Sequence, residues 1–425
     1  MEHSLDLTYH WAGFSALVVF VIAYAFVMAE EFTHLRKSKP VVLAAGLIWG
    51  MIAIAYSNTP HYEMVEHEIR HSFLEYTELA FFLLVAMTYI NALEERNVFN
   101  SLKSWLIKNQ FSYRQLFWIT GVLAFFLSPL ADNLTTALVL CAVVVAVGSS
   151  SPKFVGLACV NIVVAANAGG AFSPFGDITT LMVWQAGQLD FLQFFALVIP
   201  SVVNYIIPAS IMHFFVSDHK PDVAETSVTI KYGGKTIILL GLLTIVTAVS
   251  FHNFLHLPPV FGMMTGLAYL QLYSFYIKIS VKDIEEQKYD FFENVARVEW
   301  DTLLFFFGVI LSVGGLGFIG YLEYVSEFMY TDLGATTANV LVGILSAIVD
   351  NIPVMFAVLT MEPAMPDSQW LLVTLTAGVG GSMLSIGSAA GVALMGQSRG
   401  MYTFFGHLKW LSLIHISEPT RRPKI

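Results

Sequence analysis

The chain has 425 residues, a formal net charge of −10, 56% hydrophobic and 12% charged residues, and a mean hydropathy of +0.68. Soluble domains carry roughly 25% charged residues, so half that share, with apolar runs along the whole length, excludes a soluble globular protein. The acidic balance gives no footing for a nucleic-acid partner.

Only helices or closed barrels satisfy their backbone in lipid, and apolar runs without strict alternation predict helices. The fold class is therefore an all-α polytopic membrane protein. In chain order, spans are predicted at 9–29, 41–57, 72–92, 116–147, 154–184, 191–216, 235–251, 260–278, 301–320, 336–360, 370–396 and from 401 onward. The first lacks a small-residue cleavage site and reads as retained. Cys141 and Cys159 both fall in apolar segments, which leaves no disulfide framework.

Lys and Arg cluster in the connections at 34–40, 95–115, 149–153, 217–235, 277–299 and 397–399, which predicts these as cytoplasmic. The loops around 58–70, 185–190, 252–259, 321–335 and 361–369 are poor in Lys and Arg and read as outside. The alternation holds only if 116–147 and 336–360 each enter and leave on one side, as re-entrant hairpins. The chain then divides into two halves of like plan: 1–216 (three spans, a hairpin, a broken span, a final span) and 236–410, joined by a cytoplasmic linker at 217–235. Because the first half begins outside and the second inside, the halves are inverted. Inverted repeats with broken helices are the architecture of secondary transporters. The stretch "LSLIHISEPTRRPKI" (411–425) breaks the pattern of the span that begins at Met401 and matches a translated sequencing-library adapter. It is expected to be a non-native tail, with the last span truncated near Trp410.

Acids at membrane depth are the strongest functional signal, because each costs at least about 2.5–3.5 kcal/mol to insert. "LSPLADNLTTALVL" (127–140) places Ser128 and Asp132 four apart, followed by Asn133; "LSAIVDNIPVMFAVL" (345–359) repeats this as Ser346, Asp350 and Asn351, 218 residues later. Helix N-capping explains a lone Asp, but a symmetric pair points to an ion site. The broken spans carry "NAGGAFSPFGDITT" (167–180) and "TAGVGGSMLSIGSAAG" (376–391). Gly, Pro and Ser in mid-span free backbone groups, which is tolerable only where they line a site. Asp177 is the third buried acid, and Asn167, Thr179, Thr180, Ser385 and Ser388 offer further oxygen ligands. Glu78 and Asp301 lie at matching places in the third span of each half and are candidate proton-access groups, Glu75 a weaker one. His71 titrates in the physiological range when unperturbed and joins them as a candidate.

"HEIRH" (67–71) matches the zinc-peptidase pattern H-E-x-x-H. It sits in a His-rich loop with no evident third ligand, so no zinc is expected. No phosphate-binding G-x-x-x-x-G-K-[ST] loop occurs, which argues against an ATP-driven pump.

These motifs, with "EYTELAFFLLVAMTYINALEER" (75–96), resemble those of NhaD-type sodium/proton antiporters, in the ion transporter superfamily that also holds arsenite permeases and dicarboxylate carriers. The likeness covers nearly the whole chain before Trp410. Carboxylate carriers of the superfamily have Ser-Asn-Thr where this chain has Asp132-Asn133-Leu134 and Asp350-Asn351-Ile352, a change that suits a cation. The resemblance implies a multi-pass homodimer of the bacterial inner membrane with a scaffold domain and a moving transport domain. It implies an ion pathway through Asp132, Asn133, Asp177, Thr179, Thr180, Asp350, Asn351, Ser385 and Ser388, with Ser128, Asn167 and Ser346 close by. It implies no cofactor beyond the transported Na⁺ or Li⁺ and H⁺, and no enzymatic activity. Hard cations take oxygen ligands and burial favours the protonated carboxylic acid, so an acid that trades its proton for Na⁺ gives exchange without covalent chemistry. Two other expectations stay open: proton- or sodium-coupled transport of an anion or arsenite on the same fold, and an intramembrane zinc peptidase.

Overall fold

The computed structural model describes residues 5–57, 59–221, 228–280 and 289–410. The tail at 411–425 and part of the 217–235 linker lie outside these residues. The helices run α1 (Trp11–Met28), α2 (Glu30–Thr33), α3 (Ser38–Tyr56), α4 (Tyr62–Glu95), α5 (Val98–Lys108), α6 (Tyr113–Ala131), α7 (Asn133–Gly148), α8 (Pro152–Gly170) and α9 (Ile178–Gln185). A 3₁₀ segment, Phe191–Leu197, leads into α10 (Val198–His213). Then follow α11 (Gly234–Leu255), α12 (Pro259–Ser280), α13 (Phe291–Ala296), α14 (Trp300–Phe318) and α15 (Tyr321–Ser326), which continues as a π-helical turn, Glu327–Asp332. The last five are α16 (Ala335–Ser346), α17 (Asn351–Thr360), α18 (Asp367–Gly380), α19 (Ala389–Gln397) and α20 (Phe404–Leu408).

Among the described residues nine helical segments are long and apolar enough to cross a membrane. The protein is a multi-pass integral membrane protein. Four predicted spans are each built as two helices: 116–147 as α6 and α7, 154–184 as α8 and α9, 336–360 as α16 and α17, and 370–396 as α18 and α19. α4 is longer than its predicted span and takes in "HEIRH", where Glu66 and Arg70 pair at 2.6 Å one turn apart. α5 forms inside a connection read as a loop. Its Ser104, Leu106 and Ile107 are buried while Trp105 and Lys108 are exposed, a polar-rich amphipathic pattern that a span search passes over.

Two compact units emerge. The first comprises the chain up to Met87 with Val298–Ala338 and Met355–Ala364. Here α3 packs on α1 and α14. Trp49 donates its indole N–H to the Leu311 carbonyl at 2.8 Å, and Gly308 lies against the backbone of Val41 and Val42. Small residues at such contacts let helices approach closely without a hydrophobic drive between them.

The second unit comprises Thr88–Arg297, Asn339–Val354 and the chain from Met365. Its centre is α8, against which α6, α7, α10, α18, α19 and α20 pack. In its apolar window 89% of residues are buried, against 17% in α11, so α8 is a core helix and α11 turns most of its surface outward. After α19, Tyr402 hydrogen-bonds His407 Nδ1 at 2.7 Å, and His407 Nε2 donates to the Ser382 carbonyl at 2.8 Å.

Candidate ion site

The twelve residues expected along the ion pathway all belong to the second unit. The first helix break is a single residue. Pro129 has no N–H to give to the carbonyl four residues before it, which loosens the last turn of α6. Asp132 then adopts φ 53°, ψ 161° and starts α7. A non-glycine residue there is strained by on the order of 1–3 kcal/mol. Its carboxylate offsets part of this as an N-cap, accepting the Thr135 N–H on Oδ1 and the Thr135 hydroxyl on Oδ2, both at 2.8 Å. The second break winds through residues 347–350, and Asp350 Oδ1 accepts the Ile352 N–H at 3.4 Å.

Both breaks are fastened by the same contact. Ser128 Oγ donates to the Ala166 carbonyl at 2.7 Å, and Ser346 Oγ donates to the Ala377 carbonyl at 2.7 Å. The glycines repeat too. A Cβ on Gly176 would lie 2.9 Å from the Ser128 carbonyl oxygen, and one on Gly387 would lie 2.8 Å from that of Ser346. Each broken span thus lies close against the end of the helix before a break, where a larger residue would collide with backbone. Ser173 adds a bond to the Pro129 carbonyl at 2.9 Å that the sequence reading did not anticipate.

The convergence point is Asp177, the N-cap of α9 and only 4% exposed. Its Oδ1 accepts the Thr179 N–H and hydroxyl, both at 3.0 Å. Asn133 Nδ2, from the first break, donates to Asp177 Oδ2 at 3.4 Å and to Asn167 Oδ1 at 3.2 Å. Asn351 Nδ2, from the second break, donates to Asp177 Oδ1 at 3.4 Å. Asp350 is near enough to act on Asp177 electrostatically. Thr180 turns its hydroxyl to the Ala171 carbonyl at 3.2 Å. Asn167 is fully buried, and its amide nitrogen has no partner among the described residues. A buried amide of this kind calls for a ligand or a rearranged state. No Lys, Arg or His pairs with Asp177 among the described residues.

Ser385 and Ser388 are buried but bond elsewhere: Ser388 Oγ caps α19 by accepting the Gly391 N–H at 3.2 Å, and Ser385 Oγ donates to Met395 Sδ at 3.3 Å. Glu78, Asp301 and His71 belong to the first unit. Asp301, in the first turn of α14, accepts the Ser38 hydroxyl. His71 is exposed, 3.9 Å from Glu75, and Glu78 is half-buried in α4. Among the described residues no three His, Cys, Asp or Glu side chains gather as a metal centre, around "HEIRH" or elsewhere.

The comparisons with known proteins follow this geometry. The family model CitMHS, described as a citrate transporter, matches residues 11–378. A Na(+)/H(+) antiporter NhaD of Vibrio cholerae is 55% identical over 97% of this chain and 91% of its own length. One of Halomonas elongata is 53% identical over 96% of this chain and 87% of its own length. The chain belongs to the NhaD antiporters of the CitMHS family. The family reaches into plants, where sodium/proton antiporter 1 of Arabidopsis thaliana is 33% identical over 93% of this chain and 69% of its own length. The NhaD likeness covers both helix breaks and both broken spans, so the residues around Asp177 lie inside it.

Proposed function

We propose that this protein is a secondary transporter, not an enzyme, that exchanges Na⁺ or Li⁺ for H⁺ in Na⁺ and pH homeostasis. The observation that carries the reading is Asp177: a buried carboxylate approached by one Asn from each helix break, with no cationic side chain to neutralise it. An uncompensated carboxylate at such a place is stable only when it holds a proton or meets a cation. Either occupant excludes the other, so one site alternately loaded with H⁺ and Na⁺ couples the two fluxes. Asp350 adds further negative charge beside it, and the hydroxyl of Thr179 and the amide oxygens of Asn133, Asn167 and Asn351 complete an oxygen set suited to a hard cation. Binding Na⁺ requires the amides to turn their oxygens inward, and the unpartnered nitrogen of Asn167 fits a set that rearranges on loading.

The family model's printed description names citrate, but a tricarboxylate needs cationic or neutral donors, and the carboxylate of Asp177, with Asp350 acting on it, stands at this site. The exchange reading also rests on the NhaD relatives. It includes the inverted-repeat, re-entrant architecture, a homodimer in the bacterial inner membrane, and no cofactor beyond the transported ions. Everted vesicles carrying the protein are expected to show Na⁺- and Li⁺-induced proton release, lost in Asp132→Asn and in Asp350→Asn. Wild-type exchange by either variant, or anion-dependent uptake without a Na⁺-dependent pH change, would overturn it.

A further inference from the structure

The contacts around the two breaks recur at constant offsets. Ser128 and Ser346 stand 218 residues apart, while their acceptors Ala166 and Ala377, and the paired glycines Gly176 and Gly387, stand 211 apart. The same 211-residue offset pairs Asp177 with Ser388, each the N-cap of the following helix. It also pairs Asn167 with Gly378. The first half therefore supplies an amide and an acid where the second supplies no side chain and a hydroxyl.

Gly378 differs in kind from its neighbours. Cβ atoms on Gly169, Gly380 and Gly381 would each run into a backbone carbonyl, at Phe125, Gly343 and Gly387. Those glycines are required by helix packing. A Cβ on Gly378 would instead face side chains of the candidate site: Asp177 Oδ2 at 3.3 Å, Thr179 Oγ1 at 3.6 Å and Ala171 Cβ at 3.6 Å. A methyl nearly fits at those distances, and Ala is the better helix residue. No backbone stands in the way of alanine here; the tight contact is with the Asp177 carboxylate itself.

We infer that Gly378 is the size-determining position of the cation site: its missing side chain keeps room beside Asp177 Oδ2 and Thr179 Oγ1 for a dehydrated Na⁺. The inference rests on the exchange reading. Asn167 fills the equivalent place in the first half, which makes the site one-sided and leaves a single carboxylate at its centre.

The test is Na⁺- and Li⁺-induced proton flux in everted vesicles, for wild type, Gly378→Ala and Gly378→Ala with Ala171→Gly. In Gly378→Ala the KM for Na⁺ is expected to rise about tenfold, the scale of one added methyl in a fitted pocket. The KM for the smaller Li⁺ should rise less and kcat should change little. Removing the Ala171 methyl from the same space should bring the Na⁺ value back down. An unchanged ratio of Na⁺ to Li⁺ KM in an active Gly378→Ala would overturn the inference. So would failure of that variant to fold, because Gly378 would then be a packing glycine like its neighbours. A wild type without Na⁺-induced flux removes the exchange reading itself, whereas a wild type that exchanges beside an unshifted variant removes only the role of Gly378.

Discussion

The two helix breaks are fastened alike and shaped differently. Each Ser hydroxyl holds a broken-span carbonyl at 2.7 Å, and each paired glycine comes close to the same serine's carbonyl. Yet the first break turns on one strained residue, Asp132, while the second takes four residues to wind from α16 to α17. The first delivers its Asn beside Asn167, the second beside no matching amide. The shared part fastens each break to a broken span; the unshared part lies around Asp177, where the proposed exchange site gathers its donors.

The largest expected effect tests that asymmetry. Asp177→Asn should reduce Na⁺-induced proton flux to background, whereas Ser388→Ala, at the corresponding place in the second half, should retain exchange and lose only a helix cap. Comparable losses in both would mean that the two halves contribute equally.

Next is the pH dependence. If H⁺ and Na⁺ compete for one carboxylate, the apparent KM for Na⁺ falls as pH rises, by up to about tenfold per unit where the proton still dominates. Flux against Na⁺ concentration at several pH values measures it, and a KM independent of pH would separate the proton site from the cation site. The loss of a proton competitor strengthens Na⁺ binding, so the sign is fixed even though the midpoint is a property of the whole acidic group.

A smaller effect compares the shared fastening. Ser128→Ala and Ser346→Ala should each destabilise the protein by about 1 kcal/mol, the net value of one buried hydrogen bond plus its orphaned partner. Thermal unfolding in detergent should show similar shifts for the two. The smallest separates the breaks again. Asp132→Gly relieves a positive φ while removing a cap, so it should cost less stability than Asp350→Gly by about 1 kcal/mol. Equal costs would mean that Asp132 carries no strain.

Much of this was legible before any coordinates. Hydropathy placed the spans because lipid admits no unpaired backbone, and the Gly- and Pro-containing stretches at 167–180 and 376–391 marked both broken spans. The echo of Asp132-Asn133 in Asp350-Asn351 marked both places where a predicted span divides into two helices. The echo named acids and amides together, and the structure gives them different contacts. Asn133 and Asn351 reach Asp177, while Asp132 and Asp350 each accept an N–H at the start of the helix that follows. Nothing local distinguishes these roles, because whether a carboxylate turns back to its own helix or toward a partner depends on packing. Gly378 was equally hidden: a glycine in a Gly-rich run reads as packing until the neighbours of its missing side chain are known.

By itself, then, the sequence determined that this is a multi-pass α-helical membrane protein, where its helices break, and which polar residues its apolar spans carry. Those properties follow from backbone satisfaction and hydrophobicity, which act residue by residue. Only the tertiary structure decided that Asp177 is the meeting point, that Ser385 and Ser388 bond away from it, and that Gly378 faces its carboxylate. These depend on contacts between segments up to about two hundred residues apart, set by helix packing around α8, and packing is a property of the assembled chain.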